Sequence, residues 1–484
     1  MQEEEELGQL GYAQELFRSM GGFSNFALSF SIISIITGII GQYDYGLKMA
    51  GPAEMAFGWP LVSVFTIFVA VSMAELASGF PTSGAMYHWS LKLGGPGPAW
   101  FTAWFNILGL VTLIAVVDYQ CAQFLMPVIT PATGIQGTPL NTYLLFLLIL
   151  LSHGLINHVG IRLVSWLNDL SVPVHILGVV VIVGALVLTA HRQPLGFFVQ
   201  PGPPLPGHTW GYGFVLGLLL AQWTLAGYDA SAQVSEETVD PHVRVPWGMV
   251  LSVIISSVFG YILLLALTLA IPEISKVLDV TDAGTPVPAV TVILQTALGS
   301  WWGRLVSLLA PGAMWFCGLA SVTALSRTIF AFSRDDGMPL AVHWRRVSPR
   351  FGTPSRAIWL VVGSAGVLLI FSARSPEDAA STPAIVGSIS VIALYVAYIM
   401  PVVLNWLNRR RGGLVLRGPW HLGNWSHAVN TVAIGWTVFI IGVLAVANDF
   451  IAAKTLAVTL VGLGLWYGLR ERHRFTGPAW GHDA

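Results

Sequence analysis

Long apolar runs, each cut off by a cluster of charged, proline and glycine positions, dominate this chain. A bilayer core takes about 20 consecutive apolar residues per helix, and twelve runs of that order emerge: 23–43, 57–79, 101–126, 141–159, 163–190, 212–236, 247–271, 304–332, 356–371, 382–405, 428–447 and 450–469. They predict an all-α integral membrane protein of 12 transmembrane helices, here spans 1 to 12. No connection is long enough for a soluble domain, and neither a low-complexity tract nor a heptad run occurs.

Composition agrees with that pattern. Of 484 residues 55% are hydrophobic and 10% charged, against about 25% charged in an ordinary soluble domain. Formal net charge is -1, and Glu3, Glu4, Glu5 and Glu6 form a short acidic tip, so no nucleic acid partner is implied. Cys121 and Cys317 both lie in apolar runs, where a free thiol packs as a small hydrophobe; no disulfide framework and no metal cluster is expected. Acidic residues precede span 1 where a cleavable signal would carry basic ones, so the first helix is expected to stay.

Charge placement orients the spans. With the N-terminus inside, seventeen of the 23 Lys and Arg residues fall on the inner side, as the positive-inside rule requires; both termini are expected in the cytoplasm. Arg409, Arg410, Arg411, Arg470, Arg472 and Arg474 then anchor the inner face to anionic lipid of the bilayer. Asn424-Trp-Ser426 fits a glycosylation pattern but falls on that same side. The short loops favour a bacterial inner membrane.

Two spans carry interruptions. Span 1 reads Ile36-Thr37-Gly38-Ile39-Ile40-Gly41, and span 6 reads Trp223-Thr224-Leu225-Ala226-Gly227-Tyr228-Asp229. In hydrocarbon a helix breaks only where protein or a water-lined cavity satisfies the freed backbone, so such breaks mark sites. Spans 1 and 6 each open a block of five, and paired interruptions at matching places point to an inverted-repeat transporter. Gly38 and Gly227 taken singly are equally compatible with close helix packing.

Four strings carry a resemblance: Phe30-Ser-Ile-Ile-Ser-Ile-Ile-Thr-Gly38; Ala74-Glu-Leu-Ala-Ser-Gly-Phe-Pro-Thr-Ser-Gly-Ala-Met-Tyr87; Gly227-Tyr-Asp-Ala-Ser-Ala232 with Glu236-Glu-Thr238; and Ser333-Arg-Asp-Asp-Gly-Met-Pro339. Over nearly its whole length the chain resembles the amino acid/polyamine/organocation (APC) superfamily, closest to its amino acid, GABA and choline permease branch. The resemblance implies a leucine-transporter-like fold: an N-terminal segment 1–22, repeat one at 23–205, repeat two at 206–408, two more helices at 409–470 and a tail 471–484. Related permeases often carry Gly at the position of Ile36, whereas here only Gly38 remains.

A broken helix exposes N–H groups at the start of its outer half, which suits a carboxylate; Thr37, Gly38 and Ile39 are the expected cradle. Carbonyls freed around Ala226, Gly227 and Tyr228 offer partial negative charge to an ammonium group. Trp223 resembles the aromatic that closes over substrate in related exchangers, and its face also suits an alkylammonium by cation-π attraction. Asp229 stands where relatives carry an acid on span 6. Asp118 on span 3 faces either a vestibule or a neighbouring helix.

The resemblance aligns His175 with a lysine that replaces sodium between spans 1, 5 and 8 in proton-linked relatives. Histidine suits a loading and release role, with an ordinary pKa of about 6.5. Ser321 and Thr323 on span 8 are implied near the same place, serving a proton network or a sodium site. Glu75, Pro81 and Tyr87 are expected either to gate or to anchor the inner loop between spans 2 and 3.

The expectation is a secondary permease importing an amino acid, GABA or a related amine as its small-molecule substrate, driven by a proton gradient, with sodium the other option and no cofactor. Obligate exchange and a choline-type carrier are the transport alternatives. A membrane enzyme or sensor is the rival class, although no metal-spaced His pair, nucleophile elbow or phosphate loop occurs.

Overall fold

The computed structural model describes residues 7–8, 11–190, 192–278, 281–282, 285–446 and 451–478. The acidic tip Glu3 to Glu6, residues 447 and 450 at the edges of spans 11 and 12, and the last six residues lie outside the described ones.

Among the described residues the chain is mostly helical, with one two-stranded antiparallel ribbon, Thr281–Asp282 with Thr285–Pro286. Nine described helices are long and apolar enough to cross a membrane. The remaining three predicted spans appear as shorter pieces. Span 6 is fragmented, span 9 is the 14-residue helix Ser355–Leu368, and span 12 is the 16-residue helix Ile451–Trp466.

In chain order the elements used below are α1 (Gly22–Ile33), α2 (Ile35–Ala50), α3 (Trp59–Gly79), α4 (Met86–Gly94), α5 (Pro96–Thr133), α6 (Pro139–Val159), α7 (Ile161–Thr189), α8 (Trp210–Gly217), α9 (Leu219–Thr224), α10 (Ala230–Gln233), α11 (Pro241–Leu269), α12 (Ala289–Ser307), α13 (Leu309–Arg334), α14 (Ser355–Leu368), α15 (Pro376–Arg411), α16 (Ser426–Val446) and α17 (Ile451–Trp466). Proline opens α5, α6 and α11, where its missing N–H would have had no intrahelical partner.

Burial sets the layout. The stretch α1 to α2 is almost wholly enclosed, whereas α6 and α7 turn most of their surface outward. Span 1 runs antiparallel to span 6 along its length. Asn25 bonds Ser231 and Thr238, Ser29 bonds Tyr228, a Cβ on Gly227 would strike Ile32, one on Gly38 would strike Thr224, and one on Gly46 would strike Leu220.

Candidate functional site

Both expected breaks exist, but the first is not at Gly38. Ser34 alone leaves the helix, in the left-handed region at φ 42 and ψ 72, and separates α1 from α2. Its N–H still donates to Phe30 at 3.0 Å, and its carbonyl accepts the Gly38 N–H at 2.9 Å. Gly38 and Ile39 therefore sit inside regular helix. The groups without a partner in their own helix are the N–H of Ile35, Ile36 and Thr37. Of the expected cradle only Thr37 belongs to that exposed turn. Gly38 has a packing reason: a Cβ there would lie 2.3 Å from Thr224 Oγ1 and 2.6 Å from its Cβ.

The second break covers Leu225 to Asp229, between α9 and α10. Gly227 has φ +96, and a Cβ on it would meet Ile32 Cγ2 at 2.2 Å, so this position requires glycine twice over. Leu225 donates the last bond of α9 to Ala221 at 2.9 Å, leaving the carbonyls of Trp223 and Thr224 past the ladder. The Gly227 N–H is taken by Tyr398 Oη on α15 at 3.1 Å, and the Tyr398 hydroxyl donates to Asp229. Asp229 also accepts from Gln233 and is fully buried. Gln233 reaches on to Asn106 of α5. The Tyr228 carbonyl accepts from Ser29 at 2.8 Å. Trp223 is half-buried, 3.6 Å from where a Gly387 side chain would begin.

His175 lies directly against the first break. Its Nε2 is 2.8 Å from Ser34 Oγ, and its Nδ1 is 2.8 Å from the Ser171 carbonyl. A carbonyl only accepts, so Nδ1 carries the hydrogen and Nε2 of the neutral ring is the acceptor. Ser34 Oγ also meets Thr37 Oγ1, and the Ala313 carbonyl of α13 lies 3.4 Å away. Spans 1, 5 and 8 thus meet at Ser34.

Ser321 and Thr323 are not part of that meeting. The Ser321 hydroxyl bonds back to Cys317 of its own helix at 2.7 Å, and Thr323 bonds Asn157 of α6 at 2.7 Å. Asp118 is fully buried and faces His153 Nδ1 on α6 at 3.1 Å, flush against Gly318.

Buried ion pairs tie the end of span 6 to the end of span 8, a pairing that sequence reasoning did not foresee. Arg327 forms a two-pronged pair with Glu237 at 2.8 and 3.0 Å, both side chains fully buried. Arg334 pairs with Glu236 in the same way at 3.0 and 3.1 Å. Asp335 receives Tyr12 at 2.7 Å, Tyr87 at 2.9 Å and His88 Nε2 at 3.0 Å. Burial pushes the Tyr87 phenol well above its ordinary 10, with the charge of Asp335 adding to it. Three of the four strings that carry the resemblance therefore converge at one place, away from the breaks. Glu75 stands apart: it holds Ser426 and the Leu422 N–H, tying α3 to the start of α16.

The signal for these contacts was polar residues inside apolar runs. Asn25 and Ser29 join the start of span 1 to the end of span 6, with Ser29 Oγ accepting the Ser231 N–H at 2.9 Å. In lipid such residues commonly glue helices together.

The profile of the amino acid permease family matches residues 20–466. Amino-acid permease BAT1 of Arabidopsis thaliana is 36% identical over 98% of this chain and 95% of its own length. Its homolog in Oryza sativa subsp. japonica is 37% identical over 98% and 94%. The GABA-specific permease of Saccharomyces cerevisiae is 28% identical over 98% and 85%. All three are eukaryotic and lend no support to a bacterial membrane.

Proposed function

This chain belongs to the amino acid permease family, and on that premise we propose that it imports an amino acid or a related amine, GABA included, with protons, by alternating access around its two helix breaks. Membership makes it a membrane transporter of amino acids, not an enzyme. The finer reading rests on one observation: α1 and α2 part at Ser34 beside the place where α9 and α10 part at residues 225–229. The bared N–H groups of Ile35, Ile36 and Thr37 suit a carboxylate, and the carbonyls of Trp223, Thr224 and Ala226 suit an ammonium. A zwitterion matches both ends.

Twelve crossings with both termini inside, and an inverted pair of five-helix repeats, are part of this proposal. Fragmented span 6 and the shorter helices α14 and α17 supply the three crossings beyond the nine long ones. The buried pairs Arg327 with Glu237 and Arg334 with Glu236 form the closed inner gate, with Tyr87 fastened to it through Asp335. Glu75 anchors that face.

His175 is the coupling residue. With the ring neutral, the Ser34 hydroxyl donates to Nε2. Protonation gives Nε2 a hydrogen, Ser34 becomes the acceptor, and its hydroxyl turns to the Ala313 carbonyl. One proton thereby changes how spans 1, 5 and 8 are tied at the hinge.

The test is proteoliposome uptake of labelled amino acids, with GABA among them. An acidic exterior should stimulate uptake, and His175→Gln should flatten that response while leaving exchange of labelled for unlabelled solute. An unchanged proton response in the variant removes the role of His175; no uptake of any amino acid or GABA overturns the proposal.

A further inference from the structure

The outer end of α3 begins with a π-helical turn, Glu54–Gly58, a distortion that recurs at functional positions. Glu54 is only 3% exposed. Two glycines make the room it occupies. A Cβ on Gly58 would lie 2.0 Å from Oε1, and a Cβ on Gly217, the last residue of α8, would lie 2.5 Å from the carboxyl carbon.

Among the described residues no opposite charge pairs with this carboxyl. From α2 comes Tyr45, near enough to sense the charge of Glu54, its hydroxyl donating to the Leu216 carbonyl at 3.3 Å; Tyr212 of α8 lies beside Tyr45, and Tyr261 of α11 donates to the Ala56 carbonyl two residues on, at 2.9 Å. These are neutral phenols. Among the described residues Oε2 has no hydrogen-bond partner, and no Lys, Arg or His neutralises the group. An ionised carboxylate in such a place would cost several kcal/mol, so in this packing Glu54 holds a proton.

What covers Glu54 is the outer half of span 6. Its two pieces, α8 and α9, join through Leu218, whose backbone stays right-handed at φ -53 and ψ -20, next to the glycine against which the carboxyl rests. We propose that Glu54 is a proton-binding site of the outer gate, where a proton taken from the outer side latches α8 onto the start of α3 and its loss lets α8 swing away. This latch presupposes the alternating access proposed above, in which that half-helix moves. Hydrated by the movement, the carboxyl returns toward an ordinary value of about 4.3 and gives its proton up. Packing and protonation are linked, so acid outside favours the closed outer gate.

The full chain carrying Leu218→Cys, reconstituted in liposomes, gives a readout that needs neither solute nor gradient. Leu218 is 1% exposed, and both native thiols, Cys121 and Cys317, are buried. Labelling by an impermeant maleimide is followed between about pH 5.5 and about pH 8 with Glu54 intact and with Glu54→Gln. Thiol ionisation affects both chains alike, so the ratio of their rates isolates Glu54. A one-proton linkage raises that ratio with pH, by up to about tenfold per unit, while Glu54→Gln stays closed throughout. A ratio that does not change with pH overturns the proposal. Should Glu54→Gln fold poorly, Gly217→Ala, whose methyl intrudes on the carboxyl, serves instead; it should label fast even in acid, and slow labelling there overturns the latch. Uptake indifferent to protons would sink the coupling reading while leaving this ratio measurable, and a flat ratio would leave His175 untouched.

Discussion

Replacing Gly227 by alanine tests whether span 6 truly breaks where it does. At φ +96 a residue with a Cβ pays roughly 1–2 kcal/mol for the left-handed region. The new methyl would also sit 2.2 Å from Ile32 Cγ2 and 3.0 Å from Ile32 Cβ, an overlap relieved only by moving α1 or α10. Overpacking of that kind costs about 1–3 kcal/mol, for a combined loss of roughly 2–5 kcal/mol. The matched control is Gly312→Ala in α13, where nothing lies within 4 Å of the added carbon and helix propensity favours alanine by up to about 1 kcal/mol. Thermal unfolding of both variants in one detergent, followed by uptake in liposomes, measures the difference. Gly227→Ala should unfold well below Gly312→Ala and transport poorly. Equal midpoints with equal uptake would refute the geometry assigned to the break.

Gly38→Ala should lose about 1–3 kcal/mol by striking Thr224, and Thr224→Ala in the same chain should restore much of it, read as a double-mutant cycle of unfolding midpoints. Arg327→Met leaves Glu237 buried without its cation and should cost roughly 3–5 kcal/mol; Arg327→Met with Glu237→Met should recover most of that, whereas a double variant no better than the single one would count against a closed ion pair. Ser29→Ala removes a hydroxyl that serves Tyr228, Ser231 Oγ and the Ser231 N–H, and should cost about 1–3 kcal/mol while loosening the start of span 1 from the end of span 6. Because the Tyr87 phenol is raised in the folded state, its contribution is complete below about pH 10 and is lost as pH climbs through the higher folded value. Tyr87→Phe should therefore flatten the alkaline limb of the stability profile relative to the parent chain.

Apolar run length located the helices well because a bilayer imposes it directly. It failed at edges and breaks, where other forces decide. Span 3 was read as 101–126 but runs Pro96–Thr133, since a proline first turn and a polar end extend a helix without adding hydrophobicity. Gly38 attracted notice as a breaker, yet its role is to let Thr224 approach. Ser34 is the breaker, and a serine inside an apolar run gives no warning of positive φ; besides the nearby Thr37, its partners are His175 and Ala313, far away in the chain. His175 was legible through the family resemblance, which aligns it with a lysine of proton-linked relatives. Its partner was not. Asp118 was equally visible, but His153, Arg327 and Glu237 become meaningful only once folding brings each to its counter-charge. Family strings marked Tyr87, Glu236, Arg334 and Asp335 without revealing that these side chains gather in one cluster.

The account turns on the backbone ends bared at Ser34 and at residues 225–229 holding the passenger. Hydrogen–deuterium exchange of the reconstituted protein, with and without the amino acid that the uptake screen identifies, reads those groups directly. The account predicts that solute slows exchange at Ile35, Ile36 and Thr37 while Gly38 and Ile39, already bonded within α2, change little. Unaltered exchange at that first turn under saturating solute would contradict it.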